Sequence, residues 1–189
     1  KRFKNNIEEL DPVYSNISVE DETKLRFIST YSVNNYKLSY GANLQSSSYS
    51  NNTLFRYYNI DYDTKVDFLK YGVFLKSSKN FLKDKLGVSF GIRLDQDTFT
   101  KESSLLENTS PRLALSYILS KDNRWKLNFT VGRYFKIPTY TSLGFKNFYN
   151  QYVNKSSKYT RSDHLVSGIE FNSTQSSRFT FEAFYKTYD

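Results

Sequence analysis

The chain has 189 residues, a formal net charge of +8, 17 Tyr, 16 Phe and no Cys. Without cysteine it can form neither a disulfide framework nor a thiolate metal site. No run of about 18 apolar residues occurs, which excludes a transmembrane helix but leaves room for transmembrane strands of about 9–11 residues. The basic residues are scattered, and there is no zinc-ligand spacing, glycine-rich fingerprint or basic helix, so we expect no nucleic-acid partner.

Alternation of apolar and polar residues recurs along almost the whole chain and predicts β-strands. The clearest run is YKLSYGANLQ at 36–45, and LGVSFGIRLD at 86–95 repeats its pattern. The acidic stretch at 20–22 is interpreted as a solvated loop before the first strand. We predict eight strands, in chain order at residues 24–33, 36–45, 64–77, 85–99, 111–120, 124–137, 163–172 and 177–188.

The connections between these strands alternate in length. Short ones are predicted at 34–35, 78–84, 121–123 and 173–176, and long ones at 46–63, 100–110 and 138–162. Long loops at one end and short turns at the other are typical of bacterial outer-membrane barrels, and Trp125 beside a short turn suits a membrane interface. The pattern predicts an all-β, antiparallel, up-and-down transmembrane β-barrel. A soluble or surface-tethered all-β adhesin or binding module remains the alternative.

One face of the predicted strands is apolar, and the other carries glycine and charged residues, as expected for a wall between lipid and a wet lumen. We predict that the lipid-facing side chains are Leu38, Leu44, Val88, Phe90, Leu127, Phe129, Phe179 and Phe181. We predict that the lumen- or plug-facing side chains are Arg93, Asp95, Glu170 and His164. We also predict that Arg133, near the end of its strand, faces the lumen; strict alternation places it on the lipid side with Val131 unless it lies above the apolar band or a bulge resets the register.

The region 110–189 carries motifs of a known family. These are SPRLALSY at 110–117, LNFTVGRYFKIPTYTSLGF at 127–145, SDHLVSGIEF at 162–171 and RFTFEAFYKTYD at 178–189. Together they resemble the C-terminal part of the barrel of TonB-dependent receptors, and are most similar to receptors of the Bacteroidota that carry a carboxypeptidase-like regulatory domain upstream. Over residues 24–109 only the strand pattern agrees with that family.

The resemblance implies a 22-stranded, plugged barrel in the bacterial outer membrane. Such receptors import a scarce nutrient (a siderophore, cobalamin, a glycan or a peptide) with energy passed through TonB. Residues 1–189 are then one partial barrel domain of about eight strands, with the plug domain, the TonB box and the final strand outside it. The implied partners are outer-membrane lipid and lipopolysaccharide, the plug domain of the same receptor, the TonB complex through the missing N-terminal part, and a surface lipoprotein. A self-contained eight-stranded outer-membrane barrel is the structural alternative.

We find no pattern that predicts catalysis. His164 is the single histidine, and no serine in a nucleophile-elbow setting accompanies it, so a hydrogen-bonded lumen histidine is expected rather than an enzyme. The carboxylate pairs Asp61/Asp63 and Asp95/Asp97 could hold Ca²⁺ at a rim. Solvation or ion pairing is the commoner role of such pairs, and we expect no metal and no cofactor.

Ligand recognition is predicted in the long loop 138–162, because recognition usually lies on loops held by a rigid scaffold. Tyrosine offers contact area at low entropy cost together with a hydrogen-bonding tip. The alternative is that these aromatic rings pack on neighbouring loops. The candidate ligand-binding residues are Tyr140, Phe145, Phe148, Tyr149, Tyr152 and Tyr159.

Overall fold

The computed structural model describes residues 2–6, 13–101, 104–174 and 176–189, with side chains from residue 13 onwards. Its strands are β1 Arg2–Asn6, β2 Tyr14–Val33, β3 Tyr36–Phe55, β4 Ile60–Phe81, β5 Leu86–Asp97, β6 Thr109–Ile118, β7 Trp125–Lys136, β8 Thr160–Asn172 and β9 Arg178–Tyr188. A 3₁₀ turn spans Arg56–Tyr58, and the short helix α1 spans Tyr140–Leu143. In the described part of the chain, no helix is both long and apolar enough to span a bilayer.

Every strand pairs antiparallel with the next one in the chain, which gives one nine-stranded sheet in the order β1 to β9. The predicted all-β, antiparallel, up-and-down fold is confirmed. The eight predicted strands are β2 to β9, and the short β1 precedes them. The described strands form a single open sheet with β1 and β9 at its edges. A sandwich requires a second packed sheet and a closed eight-stranded barrel requires its first and last strands to pair, so neither alternative matches this arrangement.

The predicted long loop at 46–63 is wrong, because β3 continues to Phe55 and β4 begins at Ile60. The acidic stretch at 20–22 is likewise part of β2 rather than a loop, and it pairs with residues 47–49 of β3. The pairing of β4 with β5 begins at Lys70 of β4. The hairpin formed by residues 46–69 therefore extends beyond β5, and the first half of β2 extends with it. We call this part, residues 14–24 and 46–69, the hairpin extension.

The hairpin extension turns at residues 56–59, where Asn59 adopts a left-handed conformation with φ of 51°. Asn34 does the same in the two-residue turn between β2 and β3, with φ of 50°. Asparagine tolerates this backbone region better than other residues that carry a Cβ. These short turns set the register of β2, β3 and β4 over about 20 residues each.

The buried core lies on one face of the hairpin extension, not in the middle of the sheet. The loop 137–159 between β7 and β8 folds back over that face. The core consists of Tyr49, Val66 and Phe68 from the strands and Tyr140 and Leu143 from α1. Phe99, Ile137 and Tyr152 pack around these residues. Over the rest of the sheet most of the exposed apolar side chains lie on one face, which is the arrangement expected of a wall that lipid covers.

Candidate functional site

The strand register assigns every side chain to one of two faces, because residues paired across antiparallel strands point the same way. All eight side chains predicted to face lipid lie on one of these faces, which we call the outer face. Leu44, Phe90 and Phe181 are 46%, 51% and 73% exposed there. Trp125 stacks on Phe171 with the ring centroids 4.4 Å apart, at the short-turn end of this face. The outer face is an apolar surface with an aromatic pair at one border.

The opposite, inner face is polar and carries the predicted lumen residues. Arg93 is held there by Asp95, with Nε to Oδ2 at 2.5 Å, and donates to Asn43 Oδ1 at 2.9 Å. Gly72 makes room for this pair, because a Cβ at that position would lie 2.3 Å from Asp95 Oδ1. The two charges therefore neutralise each other within the wall. A contact of either side chain with a plug stays a prediction.

His164 also lies on the inner face and belongs to a chain of packed polar side chains. Arg112 stands over the ring of Tyr134 at 4.2 Å, and that ring lies 4.5 Å from the His164 ring. Ser162 Oγ is 2.6 Å from His164 Nε2. This arrangement orders the imidazole between neighbours on the same face. The remaining predicted lumen residue, Glu170, accepts a bond from Asn172 at 3.2 Å and faces Arg178 at 3.9 Å.

Tyr140 anchors the loop 137–159 to the wall through its hydroxyl group. The hydroxyl donates to Glu22 and accepts from Lys70, and it lies 3.2 Å from Ser47 Oγ. Lys24 also pairs with Glu22 at 2.7 Å. Burial and the bond to Glu22 raise the pKa of Tyr140 to about 12. We call Glu22, Lys24, Ser47, Lys70 and Tyr140 the anchor network.

Glu22 is the acid of the anchor network, and its ionised form is favoured. Desolvation raises its pKa, but the bonds from Lys24 and Tyr140 and the charge of Lys70 outweigh that effect and bring the pKa down to about 2. The carboxylate therefore stays charged at neutral pH and can hold the phenol and both ammonium groups.

The short helix α1 fixes the loop at a second point. Thr139 caps its first turn by accepting from the Ser142 amide, and Leu143 is fully buried. The Gly144 carbonyl accepts from Thr64 Oγ1 at 2.6 Å and from Tyr62 Oη at 3.0 Å. Side chains of β4 thereby satisfy the end of the helix, and the loop is built onto the wall.

The predicted ligand-binding residues separate into two groups. Tyr140 and Tyr159 are 9% and 8% exposed, so their rings serve packing, and Tyr152 packs edge-on against Phe99 at 5.5 Å. The rings that reach solution are Phe145, Phe148 and Tyr149. The packing alternative therefore describes the first group, and ligand contact stays a prediction for the second.

Tyr159 is buried, and its hydroxyl is hydrogen bonded to Asp97. Desolvation and this carboxylate raise the pKa of Tyr159. Asp97 also accepts from the Phe99 and Thr100 amides at 2.7 and 2.8 Å and from the Thr100 hydroxyl at 2.7 Å. The pair Asp95/Asp97 is thus divided between an ion pair and a turn, and neither carboxylate is left for a metal in this arrangement.

Sequence reasoning missed the strand partners of the loop, Glu22, Ser47, Phe68 and Lys70. A signal was present, since Glu22 and Lys24 lie two residues apart and so on the same face of a strand. The acidic composition of residues 20–22 favours a loop, and this hides the shared strand face of Glu22 and Lys24.

Arg133 lies on the outer face, because β7 and β8 pair without a bulge from Trp125 to Lys136. Its assignment to the lumen is wrong. Its Nε donates to Asp163 Oδ1 at 2.8 Å, and Arg161 binds the same carboxylate at 2.5 Å. Pairing explains how these charged residues occupy a part of the outer face where the neighbouring side chains are mostly apolar.

An antiparallel sheet with an apolar outer face, a polar inner face and long loops at one end defines the class of the protein, the membrane β-barrels. The chain belongs to the TonB-dependent receptor family: residues 4–189 match the family described as "TonB dependent receptor-like, beta-barrel". The family consists of outer-membrane transporters, which are generally not enzymes.

Known proteins add a structural likeness. The solved structure of "Copper transporter OprC" is similar to the chain with a TM-score of 0.65 at 15% sequence identity, over 92% of this chain and 31% of that one. The chain thus spans about a third of that structure, and at this identity the likeness concerns the fold alone. No curated protein sequence matches the chain.

Proposed function

We propose that the chain forms part of the wall of a TonB-dependent transporter of the bacterial outer membrane, which imports a scarce nutrient. The observation that carries the proposal is the division of one sheet into two faces. An exposed row such as Leu127, Phe129 and Val131 alternates with Asn128 and Thr130 along β7. Such a sheet is suited to lipid on one side and an aqueous, plugged lumen on the other.

The inner face supports the proposal that a plug domain of the same receptor fills the lumen. It carries Arg112 and Lys76 near Arg93, around a concave surface of about 380 Å³. Charges in a lumen require partners, and a plug domain with acidic residues supplies them. Energy would reach the plug from the TonB complex, and a surface lipoprotein would cover the loops. The Bacteroidota origin and an upstream regulatory domain belong to the same proposal.

The long-loop end of the sheet supports the proposal that a ligand is recognised at the entrance of the lumen. Phe145, Lys146 and Phe148 line a groove of about 670 Å³ together with Asp61, Tyr62 and Asp63 of the hairpin extension. Small-molecule sites commonly measure about 300–1,000 Å³, with apolar walls and few polar groups. Phe145 is held against Tyr62, with the rings 6.3 Å apart and nearly parallel. We propose that the ligand contacts Phe148, which lines this groove, and the exposed ring of Tyr149 next to it in the chain.

Copper is transported by the structurally similar protein according to its name, but this segment offers few copper ligands. It contains one His and no Cys or Met, whereas copper sites draw on imidazole, thiolate and thioether groups. We leave the substrate open among siderophore, cobalamin, glycan and peptide, and we assign no catalytic residue.

Uptake by whole cells tests the proposal. The gene of the full receptor is deleted, and uptake of a labelled ferric siderophore, cobalamin, an oligosaccharide and a peptide is compared with that of the parent strain. We expect loss of one class, restored by the complementing gene. Unchanged uptake of all four classes in the deletion strain contradicts the proposed function.

The loop is then tested in the complemented strain with the double variant Phe148→Ala/Tyr149→Ala. We expect weaker uptake at an unchanged amount of folded receptor. The matched control is Phe179→Ala on the outer face, which removes an aromatic ring far from the groove and should leave uptake unchanged. Equal uptake by the loop variant and the parent receptor would leave the loop with a purely structural role.

A further inference from the structure

Two arginines share one carboxylate on the outer face of the wall, among side chains that are otherwise apolar. Arg133 binds Asp163 through Nε at 2.8 Å and Nη2 at 3.3 Å. Arg161 binds the same group through Nε at 3.0 Å and Nη2 at 2.5 Å. Both arginine side chains remain about 40% exposed. The guanidinium groups are thus positioned by Asp163 and still accessible from outside.

The height of this arginine pair on the wall follows from the geometry of β7. Arg133 is eight residues beyond Trp125, which at about 3.3 Å per residue and a tilt of about 40° corresponds to ~20 Å along the barrel axis. The apolar band of such barrels is about 25 Å tall. If Trp125 marks the short-turn border, Arg133 lies close to the opposite border, where lipid headgroups begin.

An apolar groove leads up to Arg133 on the same face. It has a volume of about 450 Å³. Its apolar lining is Phe90, Leu113 and Val131, with Pro111, Arg133 and Asp163 one register step further along the strands, and Arg112 and Gly132 complete the lining. A groove that is apolar along its length and cationic at its end fits a lipid, whose chain and headgroup differ in the same way.

We infer that Arg133 and Arg161 bind the phosphate of an outer-leaflet lipid, with an acyl chain of that lipid in the groove beside Val131. The inference rests on the proposed outer-membrane function. Guanidinium groups suit phosphate because they offer donors in a planar fork. The two arginines share one aspartate; Arg133 and Asp163 line the groove, and Arg161 lies beside it. Asp189, at 3.8 Å from Arg161, is 83% exposed and therefore screened by water.

The competing explanation is that the pair is a salt bridge and nothing more. The two explanations differ for Asp163→Asn. A phosphate site should bind an anion more tightly when the competing carboxylate is removed, whereas a salt bridge simply loses its acid. Arg133→Gln should weaken phosphate binding and leave Arg161 to pair with Asp163, so that the wall still folds.

The experiment uses the full receptor in detergent, with native mass spectrometry of bound lipid. The probes are lipid A with one phosphate and the same lipid without phosphate, and folding of each variant is checked by heat-dependent gel mobility. The matched control is Arg124→Gln, because Arg124 also pairs with an aspartate, Asp122 at 3.3 Å, but at a short turn.

We expect about tenfold preference for the phosphorylated lipid in the parent receptor and in the Arg124→Gln control. The double variant Arg133→Gln/Arg161→Gln should show little preference. Asp163→Asn should show a preference equal to that of the parent receptor or higher. Inorganic phosphate at the lipid concentration should not displace the lipid. Displacement by inorganic phosphate, or equal binding of both lipids by a folded parent receptor, overturns the inference and leaves the transport function untouched. A receptor absent from the outer membrane would instead refute the proposed function itself.

Discussion

Replacing Phe129 by Arg places a charge on the outer face of β7, in contact with lipid. Phe129 is paired with Leu115 on β6 and Ser167 on β8, and it lies four residues beyond Trp125. That distance corresponds to ~10 Å along the barrel axis, near the middle of an apolar band about 25 Å tall. No carboxylate is paired with this position in the register.

A lipid-facing arginine near the midplane costs about 2–4 kcal/mol of folding free energy. Every 1.4 kcal/mol is tenfold, so the folding equilibrium constant should fall roughly 30- to 700-fold. The matched variant is Thr130→Arg, one residue further along the same strand. Its side chain points to the inner face, between Ala114 and Val166, and the cost there should be small because the lumen is polar.

Both variants are folded into lipid vesicles over a urea series, and the folded fraction is measured by heat-dependent gel mobility. We expect a large shift of the unfolding midpoint for Phe129→Arg and a small one for Thr130→Arg. If the Thr130 variant loses as much free energy of folding as the Phe129 variant, the assignment of the two faces is wrong.

Three further predictions concern the anchor network and the inner face. Tyr140→Phe should loosen the attachment of the loop 137–159 and increase hydrogen exchange at α1, because it removes bonds worth about 1.5–3 kcal/mol when charged groups take part; unchanged exchange would contradict the anchoring role. The pKa of Glu22 lies at about 2 in the folded chain against 4.5 ordinarily, so its contribution is complete above pH 4.5 and should be lost as the pH falls from 4.5 to 2. Proteolysis of the loop at a series of pH values measures this loss, and a Glu22→Gln variant that keeps the same pH dependence would exclude Glu22 as its source. Gly72→Val should displace Asp95 and destabilise the wall more than Gly87→Val, since a Cβ at Gly87 has no atom nearer than 3.4 Å, and equal urea midpoints for the two would contradict the packing argument.

The wall could be predicted from the sequence because lipid and lumen impose opposite demands on alternate residues. Leu127, Phe129 and Val131 oppose Asn128 and Thr130 in the sequence, and the same residues separate onto two faces in the sheet. The short turns could be predicted from the sequence as well, since the chain must reverse direction between two successive strands.

The hairpin extension could not be predicted in the same way. Beyond the lipid both faces of a strand can meet water or protein, so the run from Ser46 to Asn52 carries no alternation, and its polar composition predicts a loop. Its pairing with β2 and β4 satisfies the backbone, and the loop 137–159 supplies the apolar cover that the strands lack. Tertiary contacts of this kind have no periodicity in the sequence.

The candidate site was predicted in part for a similar reason. Loop composition indicated aromatic residues but did not distinguish Tyr140, whose ring is buried and whose hydroxyl reaches Glu22, from Phe148, whose ring is fully exposed. That distinction depends on contacts between residues that lie more than 100 positions apart in the chain. The position of Arg133 also depends on a contact between distant residues, because its partner Asp163 lies on the next strand.

The assignment of one face of this sheet to lipid and the other to the lumen can be measured position by position. Spin labels are placed singly at residues 127 to 131 of β7 in the full receptor, which is practicable because this segment contains no native Cys. Collision rates with oxygen, which is concentrated in lipid, and with a water-soluble nickel complex are measured in membranes. We predict high oxygen accessibility at Leu127, Phe129 and Val131 and low oxygen accessibility at Asn128 and Thr130. Uniform accessibility along the five positions, or the reverse alternation, would contradict the assignment.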